Sequence, residues 1–520
     1  MKTQNERPNP ITLPPGLRRY LYVTAAATGA AVMIVEILGA KMLAPYVGTS
    51  HFVWTAQIGV TLLALASGYA AGGWLVDRSP RPAWIYGGII AAAAWLALAT
   101  IGCERVAYAC LRFRLAAGCL LAAGVLFFVP LALLAMVGPF FVRVLTQSVA
   151  NVGSNVGRLT ALSTMGSVAG TVLIGYVLIP LLPNSTTMSL TAGLLLTVAT
   201  LYFALWDRKL RPPAWTAAAL VLGLVGLAAL QRPFAGATGY REVFRGNSNF
   251  GLLQVIENQS GSRRWYLNDL LTQNTYAPDS RQSFSLFTHM LHGLAQAYSA
   301  DLRDVLCVGL GVGIVPMQFA REGAHVAVVE INPAVVPVAE RFFGFERARV
   351  ELHLGDGREF FNASRQRFDV IVLDAFLGES PPSHLMTRGA FSAMQRLLKP
   401  GGTLVINTFT DLAPDRDFFA ASLDLTLKSV FRSVIIHDGQ NGNVFYVASD
   451  LPALQTVREP NFDAAPRDIR LQAQAAFRNH ARVDANHGRV LTDDYNPVDF
   501  YDARNRESLR RQLALSYRPE

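Results

Sequence analysis

The decisive stretch of this sequence reads DVLCVGLGVG and runs from Asp304 to Gly313. Its first half is a short apolar run that is typical of a buried strand. Its second half places three glycines, Gly309, Gly311 and Gly313, directly before a helix predicted from about residue 314. Glycines in such a position allow a tight turn and let the backbone approach a ligand closely. The stretch therefore predicts a strand, a ligand-binding turn and a helix, in that order.

The alternation of strands and helices continues towards the C-terminus. Further strands are predicted at 326–330, 350–354, 370–374 and 403–407, with helices that begin near residues 333 and 387. Continuous apolar strands separated by amphipathic helices form parallel sheets that are covered on both faces. We therefore expect a Rossmann-like, doubly wound α/β domain of the class I methyltransferase type. Strands at 434–437 and 444–447 should add an antiparallel edge.

Two of the predicted strands after the glycine turn end in acidic residues. Glu330 follows the turn by about 20 residues, the spacing at which an acid binds ribose hydroxyls. Asp356, between Gly355 and Gly357, follows the third strand, where an acid would contact adenine. Either acid alone could be a helix N-cap or a surface residue. Acidic residues at consecutive strand ends favour a nucleotide site, because ligands of such sheets bind beyond the carboxyl ends of the strands.

The fourth predicted strand ends in Asp374. A carboxylate at the tip of a central strand lies over the reactive end of a bound nucleotide, where it can accept a proton or hold an ammonium group. The alternative interpretation is that Asp374 only caps the loop that follows. We expect the functional role, which makes Asp374 the candidate base.

The first 235 residues have the composition of a membrane domain. Hydrophobic residues make up 51% of the chain and charged residues 16%, and the charges crowd into the second half. Stretches long enough to cross a bilayer, about 20 apolar residues each, occur at 20–46, 52–76, 83–102, 115–142, 159–182, 186–206 and 214–231. We therefore expect about seven transmembrane helices. Glu36 lies within the first, where an ionisable group is costly and often functional, unless it pairs with Lys41 near the helix end.

The formal net charge of +9 fits membrane insertion better than nucleic-acid binding. Many basic residues of the first half flank apolar stretches, as insertion requires, and no basic run carries interleaved aromatic residues. We expect the lipid bilayer as a partner, and no nucleic acid. The basic residues favour a cytoplasmic N-terminus, yet seven crossings would then place the C-terminal domain outside. We expect that domain in the cytoplasm, where its nucleotide ligand is made.

Residues 240–275 read as short strands joined by turns, a small β-hairpin module that contains Leu267-Asn268-Asp269 and Gln273. Followed by the glycine turn and the acids at the strand ends, this module gives the second half of the chain a resemblance to the spermidine synthases, the polyamine aminopropyltransferases. The chain is more closely similar to their membrane-fused bacterial relatives, in which a helical membrane domain precedes the synthase-like domain. The resemblance covers about residues 240–450 and implies a location in the bacterial inner membrane.

In that family, decarboxylated S-adenosylmethionine donates an aminopropyl group to a small-molecule amine such as putrescine. The resemblance implies that the nucleotide is bound by Gln273, Gly309, Gly311, Gly313, Glu330, Asp356 and Gly357, with Glu330 at the ribose and Asp356 at the adenine. It also implies that Asp374 takes the proton of the attacking amine. We expect no metal, and a homodimer is a candidate assembly.

Three positions depart from the family pattern. Val312 stands where the soluble synthases carry an acid within the glycine turn, Leu377 where they carry a second acid, and Phe287 where they carry a tyrosine. Each replacement removes a group that binds a cationic amine, and a charged hydrogen bond contributes about 1.5–3 kcal/mol. The nucleotide half of the site is therefore retained, whereas the amine half differs.

Other residues could replace the missing amine-binding groups. Glu379, His289 and His384 are candidate substrate-binding residues near the predicted site. Asp494 lies in the acidic segment 491–497, which could fold back as a lid over a cationic substrate or form an exposed turn.

We expect four parts: a multi-span membrane domain at 1–235, the β-hairpin module at 236–285, the Rossmann-like catalytic domain at 286–450 and a C-terminal extension at 451–520. The leading hypothesis is aminopropyl transfer to a polyamine. One alternative, motivated by Val312, is methyl transfer from S-adenosylmethionine to a membrane-associated substrate. A second alternative, motivated by Glu36 and the Asp77-Arg78 loop, is a polyamine transporter with a nucleotide-sensing domain.

Overall fold

The computed structural model of the 520-residue chain describes residues 13–14, 16–48, 51–146, 152–229, 239–376, 378, 381–502, 505 and 508. The chain divides into two compact units, Met1–Ala235 and Gly236–Glu520. Each unit is built around its own core, so the two are described separately.

The first unit is helical. Its helices are α1 (Leu17–Val47), α2 (His51–Arg78), α3 (Ala83–Cys110), α4 (Leu115–Ala123), α5 (Val129–Ala135), α6 (Val137–Leu145), α7 (Val152–Leu173), α8 (Ile179–Leu181), α9 (Asn184–Leu205) and α10 (Arg211–Ala229). Short π-helical segments, Gly124–Phe128 and Ile174–Leu178, join α4 to α5 and α7 to α8.

Six helical segments among the described residues are long and apolar enough to cross a membrane. They are Leu17–Val47, Phe52–Arg78, Ala83–Cys110, Leu115–Leu145, Val152–Leu181 and Asn184–Leu205. We expected seven spans. The seventh predicted stretch, 214–231, corresponds to α10, of which Pro213–Ala228 is a shorter apolar helix among the described residues, so the seventh span stays a prediction.

Helices α1 and α7 approach each other closely through small residues. A Cβ atom added at Gly170 would lie 2.6 Å from the carbonyl oxygen of Ala30, and one added at Gly166 would collide with the carbonyl of Ala26. Small residues are what allow helix backbones to come this close where lipid supplies no hydrophobic driving force. Glu36, the carboxylate singled out in the sequence, is a partly buried residue of α1.

The second unit begins with a five-stranded antiparallel sheet in the region predicted to be a β-hairpin module. Its strands follow one another in sequence order: β1 (Tyr240–Ser248), β2 (Gly251–Asn258), β3 (Arg264–Asn268), β4 (Leu271–Ala277) and β5 (Gln282–Ser283). The strands turn back at glycine or polar residues, as tight turns require. Helix α11 (Leu286–Tyr298) then leads into the second sheet.

The second sheet has seven strands in the order β11-β12-β10-β9-β6-β7-β8. They are β6 (Asp304–Val308), β7 (His325–Glu330), β8 (Glu351–Leu354), β9 (Phe368–Leu373), β10 (Leu398–Phe409), β11 (Ser433–Asp438) and β12 (Asn443–Ser449). Strands β6 to β10 pair in parallel, and β12 pairs antiparallel with both β10 and β11. The chain order reverses between β6 and β9, which is the switch point at which such sheets bind ligands.

Both faces of this sheet are covered, as its continuously apolar strands require. The connecting helices are α12 (Ile314–Arg321), α13 (Val335–Phe343), α14 (Gly357–Ala363), α15 (Arg388–Leu397) and α16 (Phe418–Lys428). Val305 and Val370 pack into one hydrophobic cluster, and their neighbours Leu306 and Ile371 pack into the other. Alternate residues of a strand therefore supply two separate cores.

The C-terminal extension runs along the outside of this unit. Helix α17 (Arg467–Arg478) lies beside β11, and the Ala481 amide donates to the carbonyl of Ile436. The chain then crosses α16 and reaches α15, where the Arg388 amide donates to the carbonyl of Leu491. Helix α18 (Val498–Tyr501) ends the described helices.

Candidate active site

One cavity of about 460 Å³ opens at the carboxyl ends of β6 to β10. Eight of the predicted site residues line it: Gln273, Gly309, Gly311, Glu330, Asp356, Gly357, Asp374 and His384. The antiparallel sheet contributes one wall, including Asn268, Thr272 and Asn274. The volume lies within the range of about 300–1,000 Å³ that is usual for small-molecule sites.

The glycine turn lies directly against the end of β9. Gly309 has a φ of 98°, and a Cβ atom there would collide with the carbonyl oxygen of Asp374. The Asp374 amide donates to the carbonyl of Val308 at 2.9 Å, and the Gly309 amide donates to that of Val329 at 2.8 Å. Only a residue without a side chain fits at 309, which explains why the first glycine of the turn is needed.

Glu330 ends β7 and holds the glycine turn in place. Its Oε2 accepts from the Leu310 amide at 2.8 Å, and its Oε1 accepts from the Asn332 amide at 2.7 Å. Burial raises the pKa of this carboxyl, and the backbone hydrogen bonds oppose that shift. Each carboxylate oxygen retains a further lone pair, so Glu330 can still accept from hydroxyl groups of a ligand in the cavity.

Asp356 has three partners. Its Oδ1 accepts from the amides of Arg358 at 2.8 Å and Glu359 at 3.3 Å, so it caps α14. Its Oδ2 lies 2.9 Å from Nε2 of His384, a residue that also lines the cavity. The structure places His384, a candidate for binding the amine substrate, beside the predicted adenine-binding acid. Asp356 is thus both the helix cap that the sequence allowed and a cavity residue.

Asp374 is partly buried, and part of its surface faces the cavity. Burial raises the pKa of this carboxyl to about 6, and a hydrogen bond from Asn407 opposes the rise. Asn407 Nδ2 donates to Asp374 Oδ1 at 2.9 Å, and Asn443 Nδ2 donates in turn to Asn407 Oδ1 at 3.1 Å. A carboxylate with a pKa near neutrality is well matched to accept a proton at physiological pH.

Sequence reasoning missed both asparagines. Asn407 occupies the end of a predicted strand, as do the acids that were found, so its position was an available signal. Asn443 enters the site from the antiparallel edge strand, and its sequence position alone carries no such signal. Both line the cavity, as does Phe287, which departs from the family pattern.

Gly313 and His289 lie in a different place from the other predicted site residues. Both line a separate, smaller cavity of about 90 Å³. Gly313 has a φ of 83°, packs against Phe345 and directly precedes α12, so it is not part of the wall of the main cavity. His289 Nε2 lies 3.0 Å from the carbonyl oxygen of Ser283, and burial lowers the pKa of its imidazole. The structure does not bring His289 to the main cavity.

The remaining predicted residues divide between the exterior and the undescribed part of the chain. Asp494 lies on a turn outside the cavity lining, and its neighbour Asp493 accepts from Thr387 at 2.6 Å and from Arg358 at 2.9 Å. Glu379 and Leu377 lie outside the described residues.

Val312 is buried, with 1% exposure. Among described residues, no group of three His, Cys, Asp or Glu side chains is arranged to hold a metal.

A doubly wound sheet with a glycine turn and acids at successive strand ends defines a nucleotide-binding α/β domain. A family model described as the spermine/spermidine synthase domain matches residues 285–434. A polyamine aminopropyltransferase of Vibrio vulnificus is 31% identical over 231 residues, which cover 42% of this chain and 76% of that protein. The chain therefore belongs to the spermidine synthase family of aminopropyltransferases, and its named relatives are transferases.

Two further similarities are to a methyltransferase and to a solved spermidine synthase structure. An N-terminal histidine N-methyltransferase of Emericella nidulans is 27% identical over 217 residues, or 37% of this chain, and the chain spans only 38% of that protein. The solved structure of the spermidine synthase of Thermotoga maritima is 18% identical and covers 45% of this chain and 86% of its own, with a TM-score of 0.36.

Proposed function

We propose that this chain is a membrane-anchored transferase that moves an aminopropyl group from decarboxylated S-adenosylmethionine to an amine. One observation carries the proposal: the glycine turn, two acids at strand ends and Asp374 line a single cavity at the switch point of the sheet. Membership of the aminopropyltransferase family supports the reaction class. Donor and acceptor are assigned below from the chemistry of the lining residues.

The nucleotide would occupy the part of the cavity between the glycine turn and Asp356. Gly311 has no side chain, so the donor can lie against the backbone of the turn there, whereas Gly309 makes room for the carbonyl of Asp374. Glu330 would accept from the ribose hydroxyls, and Asp356 would accept from the exocyclic amine of adenine. Gln273 and Gly357 complete the wall.

The reaction would be an in-line displacement at carbon. The nitrogen lone pair of the acceptor amine forms a bond to the carbon next to the sulfonium, the carbon–sulfur bond breaks, and a neutral thioether leaves with the electron pair. The nitrogen then loses one proton, which Asp374 accepts. The protein supplies orientation and this proton acceptor, and orientation of two bound reactants is a large part of the barrier reduction in such reactions.

Methyl transfer from S-adenosylmethionine is a second candidate, because one observation favours it. Val312 is buried in the glycine turn where the soluble synthases carry an acid that binds the amine of the decarboxylated donor. An apolar residue there removes that anchor. The similarity to a protein named as an N-methyltransferase is consistent with a donor that keeps its carboxylate.

We also propose that the catalytic unit faces the cytoplasm of a bacterium from the inner membrane. The six spans among the described residues are an even number, so they would return the chain to the side on which the first of them begins. The basic residues near the N-terminus favour the cytoplasmic side for that start. A topology of six spans agrees with the compartment in which the donor is made, whereas a seventh span at α10 would place the catalytic unit on the opposite side.

The test is product analysis with the purified full chain in detergent. Each donor is incubated with a panel of mono- and diamines, and products are identified by mass spectrometry for the wild type and Asp374→Asn. Aminopropylated product from the wild type supports the first proposal, and methylated product with S-adenosylmethionine alone supports the second. Absence of both, or equal product from Asp374→Asn, would contradict transfer at this site.

A further inference from the structure

A row of polar side chains crosses three strands at the carboxyl edge of the large sheet. Asp374 directly follows β9, Asn407 lies near the end of β10, and Asn443 begins β12. Ile406 pairs with Leu373 in the parallel register of β10 and β9. This pairing places the next residues of both strands, Asn407 and Asp374, side by side.

The antiparallel edge strand completes the row. Phe409 pairs with Asn443, so the first residue of β12 lies beside the last residue of β10. Positions two apart on neighbouring strands share a face and are within reach of one another, which brings Asn443 to Asn407. The antiparallel direction of β12 is essential, because its first residue, rather than its last, reaches the ligand-binding edge.

The hydrogen bonds along the row all run in one direction. Asn443 Nδ2 donates to Asn407 Oδ1 at 3.1 Å, and Asn407 Nδ2 donates to Asp374 Oδ1 at 2.9 Å. A carboxamide has one acceptor arm and one donor arm. Because Asn443 offers a donor to the carbonyl arm of Asn407, the amino arm of Asn407 is left to face the carboxylate.

Building on the proposed function, we infer that Asn407 and Asn443 are positioning residues for Asp374. Asn407 holds one oxygen of the carboxylate, so that the other is presented to the acceptor amine. Asn443 does not touch Asp374 in this row and acts through Asn407, by fixing which arm of that carboxamide points to the carboxylate.

The orientation of the Asn407 carboxamide matters because Asp374 is partly buried in the wall of the cavity. Burial raises the pKa of this carboxyl, and the donated N–H counteracts the rise by stabilising the ionised form. A reversed carboxamide would direct its carbonyl oxygen at the carboxylate and favour protonation. Asn443 therefore controls how far Asp374 remains ionised near neutral pH.

Other titratable groups surround the same cavity. Glu330 at the end of β7, Asp356 before α14 and His384 in the following loop line it. Cys307 of β6 lies behind Asp374, and burial raises the pKa of its thiol far enough that it stays neutral. The experiment must therefore observe Asp374 itself rather than infer its state from activity alone.

The protonation of Asp374 can be followed by the infrared difference between a parent protein and the same protein with Asp374→Asn, recorded against pH. This measurement needs no turnover, so it separates the present inference from the proposed reaction. The variants are Asn407→Leu, Asn443→Leu and the double variant, all in the full chain. Asn461→Leu is the matched control, because Asn461 is exposed and does not line the cavity.

In Asn407→Leu the pH midpoint for protonation of Asp374 should rise by about one pH unit. A shift of this size follows the loss of one hydrogen bond to a charged group. Asn443→Leu should move it in the same direction by less, and the double variant should match Asn407→Leu, because the two residues act in series. The milder Asn443→Ala serves if the Leu variant fails to fold. An unchanged midpoint in both Asn443 variants, or additive shifts, would overturn the inference.

Activity supplies an independent readout. If the wild type forms product, the acid limb of its pH profile should move alkaline in the same order as the infrared midpoints. If no donor and amine give product while the midpoints shift as expected, the proposed function fails and the role of the asparagines stands.

Discussion

The carbonyl of Asp374 occupies the space into which a side chain on Gly309 would extend. The candidate base and the glycine turn are therefore in direct backbone contact. The amide of Asp374 also bonds to β6 at Val308, the residue before that glycine. A change in the turn must consequently move the base, which makes the two ends of the cavity wall one structural unit.

Gly309→Ala tests this contact. The added methyl meets the Asp374 carbonyl and also forces a non-glycine residue to adopt a φ of 98°. Gly323→Ala is the matched control, since Gly323 has a φ of 91° and open space around its Cβ position. Both variants should lose about 1 kcal/mol of stability through the backbone, but only Gly309→Ala should lose nucleotide affinity, by at least about tenfold in calorimetry. Equal nucleotide affinities in both variants would show that the contact is not needed for binding.

Asp374→Asn tests the role of the base. The substitution keeps the size of the side chain and its contact with Asn407 while removing proton acceptance. We expect product formation to fall by about 10²–10⁴-fold, the usual contribution of a general base, while the dissociation constant of the nucleotide stays within about threefold. A variant that loses nucleotide binding in parallel with activity would instead indicate a structural role.

The pH dependence of the wild type follows from the same group. Asp374 accepts a proton only when ionised, and burial raises its pKa to about 6. The rate should therefore be full above this pH and fall about tenfold per pH unit below it. Nucleotide affinity, measured over the same range, separates this effect from weaker binding. A profile that stays flat down to pH 5 would argue against Asp374 as the base.

His384→Ala tests whether the loop that follows β9 contacts the nucleotide or the acceptor amine. Because it pairs with Asp356 rather than facing the asparagine row, His384→Ala should change nucleotide affinity, by no more than about fivefold for a half-exposed pair. The KM of the amine should remain unchanged. An increase in the KM of the amine at constant nucleotide affinity would instead support the prediction that His384 binds the acceptor.

The membrane unit offers a separate test of packing. Gly170→Leu would insert a side chain where Ala30 of α1 leaves no room, and overpacking of this kind costs about 1–3 kcal/mol. Gly157→Leu, on the same helix with open space at its Cβ position, is the control. Thermal unfolding in detergent should show a lower midpoint for the first variant only, and equal midpoints would show that α1 and α7 are not packed as described.

Much of the sheet and part of the site could be predicted from the sequence, for a physical reason. In a parallel sheet every strand delivers its last residue to the same edge, so Glu330, Asp356 and Asp374 could be placed together from strand positions alone. The same argument does not predict Asn443 as a site residue, because β12 runs antiparallel to β10 and its pairing with β10 is a long-range contact.

The sequence was less informative for residues whose surroundings depend on packing. His289 lies on α11, and the contact that occupies its ring, the carbonyl of Ser283, comes from the preceding strand. Gly313 belongs to the glycine turn by spacing, yet its φ and its contact with Phe345 direct it away from the cavity.

The most direct test of the central claim is calorimetry of decarboxylated S-adenosylmethionine on the full chain, comparing the wild type with Glu330→Gln and Asp356→Asn. If the strand-end acids hold one nucleotide in the cavity beside Asp374, the wild type should bind a single equivalent and each variant should bind at least about tenfold more weakly. Binding that is undiminished in both variants, or absent from a folded wild-type protein with this donor and with S-adenosylmethionine, would contradict the account.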